Sequence, residues 1–402
     1  MTVFLYLMIV TVFLILLGVQ EYRKHLKHLS KVPIRIHVNG TRGKSSVTRL
    51  IAAGLRAGGI RTFAKTTGTT AKVISDNGDE FAVYRPSGAN IIEQLRIIDF
   101  AARNGAEALV IECMALQPMY QSLCELKIIK STVGVITNAR ADHLDVMGPN
   151  EIDVAKALLG TTPVKGKFFT AEKDYIDLFR MAAKDRESSI EIVSQEEADN
   201  VPAHYLEGFS YIEHAENIEL ALKVCEEVGV DRETAIKGMH KVTPDVGAMN
   251  ESTIEWFGRT ICLVNGFAAN DAESTETIWN ISLKRNAECT KRIMVINCRE
   301  DRPDRSYQLG SVLAKWEPAD DYFVIGTGTY SFIRTAIKFG IHAKKIVDLE
   351  SEGVPEIFEK IVERSDNKTL VFGAGNIKGV GLELVRYFTN RVPQGKEQQW
   401  NR

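Results

Sequence analysis

The chain has 402 residues, more than one hydrophobic core ordinarily organises, because single cores stop growing near ~250 to 300 residues, so two domains are expected. A composition of 45% hydrophobic, 8% aromatic and 25% charged residues excludes a disordered, collagen-like or polytopic membrane chain. Lys and Arg number 50 against 52 Asp and Glu, a net charge of −2, so no basic excess calls for nucleic acid and any anion site must be local.

The first predicted element is apolar. Val3 to Val19 runs for seventeen residues without a charge, a minimal bilayer span. Met1 and Thr2 alone precede it, without the basic stretch of a secretory signal, and cleavage is not expected. Arg23, Lys24, Lys27 and Lys31 follow against the single acid Glu21, which places the main body at the cytoplasmic face of the membrane. Residues 1–20 are read as a membrane-embedded or spanning helix and 21–33 as a basic linker. An apolar helix buried in a partner subunit, or lying in the interface, is the alternative.

From residue 34 the pattern alternates β-branched runs with helical stretches, the sign of a mostly parallel sheet covered by helices. Strands are predicted at 34–38, 61–65, 108–113, 133–137 and 166–170, with a helix over 214–230. After the turn-like 243–250 the alternation restarts, with strands at 260–266, 291–298, 321–326 and 369–375. The expected fold is α/β throughout: an ATP-binding domain over 34–248 with a phosphate loop, a smaller Rossmann-like α/β domain over 249–392, and a tail over 393–402. The six cysteines form no C-x-x-C pair and come no closer than nine residues, at Cys289 and Cys298, which indicates neither a zinc framework nor a disulfide scaffold. A reducing compartment fits.

The strongest chemical signal follows the first α/β strand. Gly40, Thr41, Arg42 and Gly43 form a loop, and Lys44, Ser45 and Ser46 open a helix. Glycines let backbone N–H groups close around phosphate oxygens, a lysine reaches the β and γ phosphates, and a serine hydroxyl can ligate magnesium. The pattern is the compact G-T-x-G-K-S, because the first glycine of the longer motif is replaced by Val38. Two further groups fall at strand ends aimed at the same sheet edge: Glu112, closing ALVIE, and His143, in TNARADHLD. A carboxylate is a hard oxygen donor suited to magnesium. Structural alternatives are a salt-bridged strand terminus for Glu112 and a hydrogen-bonding role for His143.

Taken in order, G-T-x-G-K-S, the strand-end glutamate, T-N-x-x-x-D-H-L-D, A-K a dozen residues on and H-x-E-N before an alanine-rich helix resemble the Mur ligase superfamily, to which the folylpolyglutamate synthetases also belong. Segments such as VNGTRGKSSVTRLI, DHLDVMGPNEIDVAKAL and NCREDRPDR are similar to the ligase subunits of bacterial poly-γ-glutamate capsule synthesis.

That resemblance implies an ATP- and Mg2+-dependent ligase. Lys44 would bind the phosphates of ATP, Ser45 and Glu112 would hold one magnesium, His143 would help hold a second, and Lys156 falls where many relatives carry a carbamylated lysine. Asn217 would lie near adenine. Asn270 and Arg302 are assigned to the nucleotide, and Lys65, Arg85, Arg299 and Arg305 are candidate cations for anionic substrates. The chain departs from its relatives in two places: Gly247-Ala248-Met249-Asn250 lacks the usual arginine, and Asn265 to Asp271 lacks the first acids of the corresponding loop. Gly373 to Gly379 is not a dinucleotide fingerprint and reads as a strand-to-helix turn.

The implied partners are glutamate, the growing poly-γ-glutamate chain and small membrane subunits of a capsule synthase, with the chain in an oligomer. Two other readings stay open. One is a Mur-type ligase acting on a muropeptide or folate, for which residues 1–33 offer no precursor-binding region. The other is a non-ligase ATPase driving a membrane complex.

Overall fold

The computed structural model describes residues 2–67, 71–85, 88–209, 211, 213–243, 251–267, 269 and 272–392. They divide into two compact units, 1–245 and 246–402. The predicted boundary at 248 and the tail over 393–402 fall outside the described residues.

The first unit is built on β1 (Ile34–Asn39), β2 (Thr62–Thr66), β3 (Lys72–Ile74), β4 (Glu80–Ala82), β5 (Ala108–Glu112), β6 (Val133–Ile136), β7 (Lys167–Thr170) and β8 (Ser189–Ile192). Their spatial order is β4-β3-β2-β5-β1-β6-β7-β8. The run β2-β5-β1-β6-β7-β8 is parallel, and β3 and β4 add an antiparallel edge. The parallel strands read as unbroken apolar runs because helices cover both faces. Helix α2 (Lys44–Ala57), which follows β1, buries Val47, Leu50, Ile51 and Leu55. Leu109 and Ile111 point into a cluster with Ile97, Ile98 and Ala101 of α3 (Glu93–Arg103) and with Ile128 and Ile129. Alternation along β5 therefore turns Glu112 away from that cluster.

The first helix differs from expectation. It does not stop near residue 20 but runs unbroken from Thr2 to Lys31 as α1, so the segment read as a basic linker is its last three turns. The physical reason is packing. Leu29 is buried against the α3 cluster, His25 Nε2 lies 2.8 Å from the Ile128 carbonyl, and His28 Nδ1 lies 3.0 Å from Asp99 Oδ1. The guanidinium of Arg35 then donates to the carbonyls of Leu29 and Val32 on one side and of Ile129 and Lys130 on the other. The carbonyls left open at two helix ends are thereby satisfied by one side chain. Residues 3–19 remain exposed, and the helix is long and apolar enough to cross a membrane.

The second unit contains β9 (Glu251–Trp256), β10 (Arg259–Asn265), β11 (Lys291–Cys298), β12 (Asp321–Gly326), β13 (Ile346–Glu350) and β14 (Lys368–Gly375) in the order β13-β12-β11-β14-β10-β9. Only β9 pairs antiparallel, at the edge. Its core joins Leu263, Val295, Phe323 and Val371 to Ile357, Leu384 and Phe388. The glycine-rich stretch after β14 is a strand-to-helix turn, with Gly379 at φ +72° before the helix Val380–Thr389. All six cysteines are free thiols.

Candidate active site

A parallel sheet delivers the carboxyl ends of its strands to one edge. Here that edge collects the loop after β1, Glu112 at the end of β5, Thr67 after β2 and the segment after β6. Gly40 has φ +132°, and a Cβ there would come within 2.0 Å of Thr137 Oγ1. Gly43, at φ +78° before α2, would place a Cβ 2.8 Å from Asn217 Oδ1. Both positions therefore exclude a side chain by conformation and by space.

The loop is buttressed by the segment after β6. Thr41 Oγ1 donates to Asn138 Oδ1 at 2.7 Å, the same oxygen accepts the Arg42 N–H at 3.0 Å, and Arg140 N donates to Thr41 Oγ1 at 2.9 Å. The Arg42 guanidinium pairs with Asp142 at 2.9 Å. Behind this segment the buried carboxylate of Glu172 accepts the Ala139 N–H at 2.6 Å and the Asp174 N–H at 2.7 Å.

Lys44 Nζ folds back over the loop and donates to the carbonyls of Gly40 at 2.5 Å and Thr41 at 3.3 Å. Burial pulls its pKa down, opposed by the charges of Glu112 and Asp142. Ser45 Oγ donates to Glu112 Oε2 at 2.9 Å, and Thr67 donates to the same carboxylate through its hydroxyl and, at 2.6 Å, through its backbone N–H. Ser46 follows in the first turn of α2, partly buried.

Glu112 is 2% exposed and has no salt bridge to any described residue. A buried carboxylate whose hydrogen bonds all come from neutral donors, with Lys44 acting on it only at longer range, fits a hard divalent cation beside two hydroxyls. No cluster of three or more His, Cys, Asp or Glu suited to a metal occurs among the described residues, so the fit rests on this carboxylate–hydroxyl set.

The other predicted residues are placed as follows. His143 caps the short helix Leu144–Met147 at φ +46°, with Nε2 4.0 Å from Asp142 Oδ1. Lys156, on the helix Glu151–Leu158, is 57% exposed in its side chain and pairs with Asp153 at 3.4 Å. Asn217 overlies Gly43 and donates to Glu213 Oε1 at 2.8 Å. Lys65 is fully buried, 2.7 Å from Glu93 Oε1, and Arg85 makes two 2.7 Å bonds to the same carboxylate. Burial favours the neutral form of Glu93, yet these two cations outweigh it and hold its pKa below the ordinary value.

In the second unit, Arg299, Arg302 and Arg305 follow β11. Arg299 pairs with Asp301 at 2.6 Å, Arg302 caps the helix Pro303–Val312, and Arg305 donates to Asn376 Oδ1 at 3.1 Å. Asn270 and the segment 247–250 lie outside the described residues.

Sequence reasoning missed Thr67, Asn138, Glu172 and Glu93. Thr67 had a signal, since a hydroxyl-rich TTGTT follows a predicted strand as Glu112 ends another. Glu93 had none, because nothing in its spacing points to Lys65 or Arg85.

Two family models match: the Mur ligase middle domain over residues 38–244 and the poly-gamma-glutamate synthase CapB C-terminal domain over 252–391. The PGA synthase CapB of Bacillus subtilis (strain 168) is 36% identical over 383 residues, covering 94% of this chain and 96% of the relative. The capsule biosynthesis protein CapB of Bacillus anthracis is 39% identical over 381 residues, covering 94% and 81%. Among solved structures, the bifunctional folylpolyglutamate synthase/dihydrofolate synthase of Yersinia pestis, complexed with AMPPNP and a Mn ion, superposes with a TM-score of 0.67 at 13% identity over 92% of each chain. E. coli FolC in complex with DHPP and ADP gives 0.68 at 12% identity over 92% and 93%. At these identities the likeness is one of fold.

Proposed function

The chain belongs to the Mur ligase family, in the branch of the poly-gamma-glutamate synthases CapB, and from that premise we propose that it is an ATP-dependent ligase joining glutamate units through γ-carboxyl to α-amino linkages. The observation that carries the reading is the meeting of the phosphate loop's helix with a buried strand-end carboxylate, Ser45 to Glu112 at 2.9 Å.

The chemistry is as follows. A γ-carboxylate of glutamate, or of the growing chain, attacks the γ-phosphate of ATP and releases ADP. The α-amine of the next glutamate then attacks the acyl phosphate, phosphate leaves, the amine gives up a proton, and an amide remains. The Gly40–Gly43 backbone and Lys44 would hold the phosphates, Lys44 leaving the Gly40 and Thr41 carbonyls to do so. Ser45, Glu112 and Thr67 would hold a divalent ion, magnesium in our assignment, which supplies neutralisation of phosphoryl charge. Asn217 would face adenine. Lys65 and Arg85, already ordered on Glu93, would meet substrate carboxylates, with Arg299, Arg302 and Arg305 serving anions from the second unit.

We extend the metal set to His143 and to Lys156 as its carbamate, on the strength of their order along the sequence. Lys156→Arg separates this from the exposed Asp153 ion pair: arginine keeps the pair and cannot form a carbamate, so severe loss of ligation supports the assignment and near-normal ligation removes it. We further assign the body of the chain to the cytoplasmic face of the membrane, anchored by α1 in an oligomer with small membrane subunits.

The test is to supply membranes carrying the chain with ATP, magnesium and glutamate and to assay ADP and γ-linked product. Product that disappears in Lys44→Ala is the expected result. ATP turnover without any γ-linked product would favour the ATPase reading, and product only with a folate or muropeptide acceptor would favour the other ligases.

A further inference from the structure

Away from the phosphate loop, the outer face of α2, the β3–β4 hairpin and residues 238–243 enclose a cavity of about 260 Å³. Arg49 and Arg56 lie two turns apart on the same stripe of α2, with Ala53 between them, and Lys241 lines the opposite side. The small residues Ala53, Ala57 and Gly238 pack closely against one another and line the cavity between the cations.

The charges here are not balanced. The Arg49 side chain is 2% exposed; it pairs with Glu80 and donates to the Thr243 carbonyl at 3.3 Å, while its buried Nε has no partner. Glu80 is shared with Lys72 at 2.5 Å, and Asp76, the other acid in the wall, is taken by Arg61 at 2.7 Å. Arg56 makes no ion pair within 4 Å among the described residues, and its side chain donates to the Thr62 carbonyl at 3.4 Å, with Asp76 and Glu80 acting on it only at longer range. Burial pulls its pKa down to about 10, opposed by the charge of Asp76, and it is still charged at neutral pH. A partly buried guanidinium with few protein acceptors is poised to take charge-assisted hydrogen bonds from an anion.

We propose that this cavity is a second anion site, in which the guanidinium of Arg56, with that of Arg49 beside it, receives an oxyanion, either a carboxylate of a γ-linked glutamyl segment or inorganic phosphate. Glu80 occupies the other face of Arg49 and competes for it. Because Arg49 also holds Thr243, just before the boundary between the units, occupancy of the site alters that contact.

The test is calorimetric titration of the full chain, its phosphate loop saturated with ADP and magnesium, at constant ionic strength. Inorganic phosphate, L-glutamate and γ-linked tri-glutamate serve as separate probes, and the probe that binds identifies the source. Arg56→Gln, which still binds ADP if folded, should weaken that binding at least tenfold. Glu80→Gln should strengthen it several-fold by releasing Arg49. If no probe binds the wild type, if binding persists unchanged in Arg56→Gln, or if Glu80→Gln fails to tighten it, the site is refuted. No turnover is required, so the outcome is independent of the ligation assay.

Discussion

The hydroxyl of Ser45 lies 2.9 Å from the carboxylate of Glu112, sixty-seven positions away in sequence, and joins the first turn of α2 to the end of the strand beside β1. Thr67 closes the set from a third segment. The arrangement keeps a buried carboxylate that no ion pair within 4 Å balances among the described residues. Glu112→Gln removes that charge while keeping most of the shape, so without metal the variant should be as stable as the wild type or more so. With ATP it should lose ligation by about a hundredfold or more and no longer be stabilised by added magnesium. Thermal unfolding with and without magnesium checks this, and a wild-type magnesium response would make Glu112 structural.

Gly43 is the second test of the loop. An alanine there must hold φ +78° and place its Cβ 2.8 Å from Asn217 Oδ1. The conformation costs about 1–2 kcal/mol and the collision about 1–3 more. Gly43→Ala should therefore lower unfolding stability measurably. Adding Asn217→Ala should recover the collision part and leave the conformational part, which a denaturation series on the single and double variants resolves. Full recovery would mean that the φ angle carries no cost.

The phosphate loop and the strand-end glutamate were legible because each is a local pattern whose partner is fixed by the parallel sheet: once β1 and β5 are adjacent, Gly43, Ser45 and Glu112 share an edge. The helical pattern of α1 was legible only to residue 20, since its last turns are charged and owe their helix to Leu29, His25 and Arg35 packing on distant segments. The edge strands β4, β8, β9 and β13, and β3 beside β4, were not predicted. β3 and β4 are three residues long, and β8 is only partly covered, so their strand state comes from pairing rather than from an apolar run. Lys65 was predicted as a cation for anionic substrates; its pairing with Glu93, which it shares with Arg85, is with residues not near in sequence to it.

Buried beside β1, His37 Nδ1 lies 2.8 Å from Glu125 Oε2, and Glu125 also accepts from the Ser131 N–H and hydroxyl at 2.8 and 2.9 Å. Burial alone would lower the His37 pKa, but the Cys113 sulfur and the Glu125 carboxylate outweigh it and raise the value from 6.5 to about 9, although Nε2 has no acceptor in hydrogen-bond geometry. A raised folded-state pKa means that the native chain holds a proton that the unfolded chain releases first. The stabilisation is therefore complete below pH 6.5 and lost as the pH rises through about 9. Urea unfolding at successive pH values should show a decline on the order of 1–3 kcal/mol over that window. His37→Gln should be less stable at pH 6 and show a flatter profile. An unchanged slope would assign the pH dependence elsewhere.

The two halves of α1 should separate in a truncation series. Residues 3–19 are exposed and make no core, whereas His25 and Leu29 are buried and Arg35 grips the carbonyls that end the helix. If α1 is the proposed anchor, deleting residues 2–20 should release the chain from membranes and leave nucleotide binding intact, because only exposed surface is removed. Deleting residues 2–31 should in addition uncover the Ile97–Ile128 cluster and take from Arg35 the Leu29 carbonyl, while those of Val32, Ile129 and Lys130 stay in place. Losing the Leu29 side chain alone is worth about 2 kcal/mol, and losing the His25 bond leaves the Ile128 carbonyl without that partner, which adds to it. The longer deletion should therefore unfold at lower denaturant concentration than the shorter one. Since β1 runs from Arg35 directly into the phosphate loop, it should also bind ATP more weakly. Equal stability of the two truncations would show that the last turns of α1 only lie against the first unit. Membrane association that survives the shorter deletion would move the anchor to another surface.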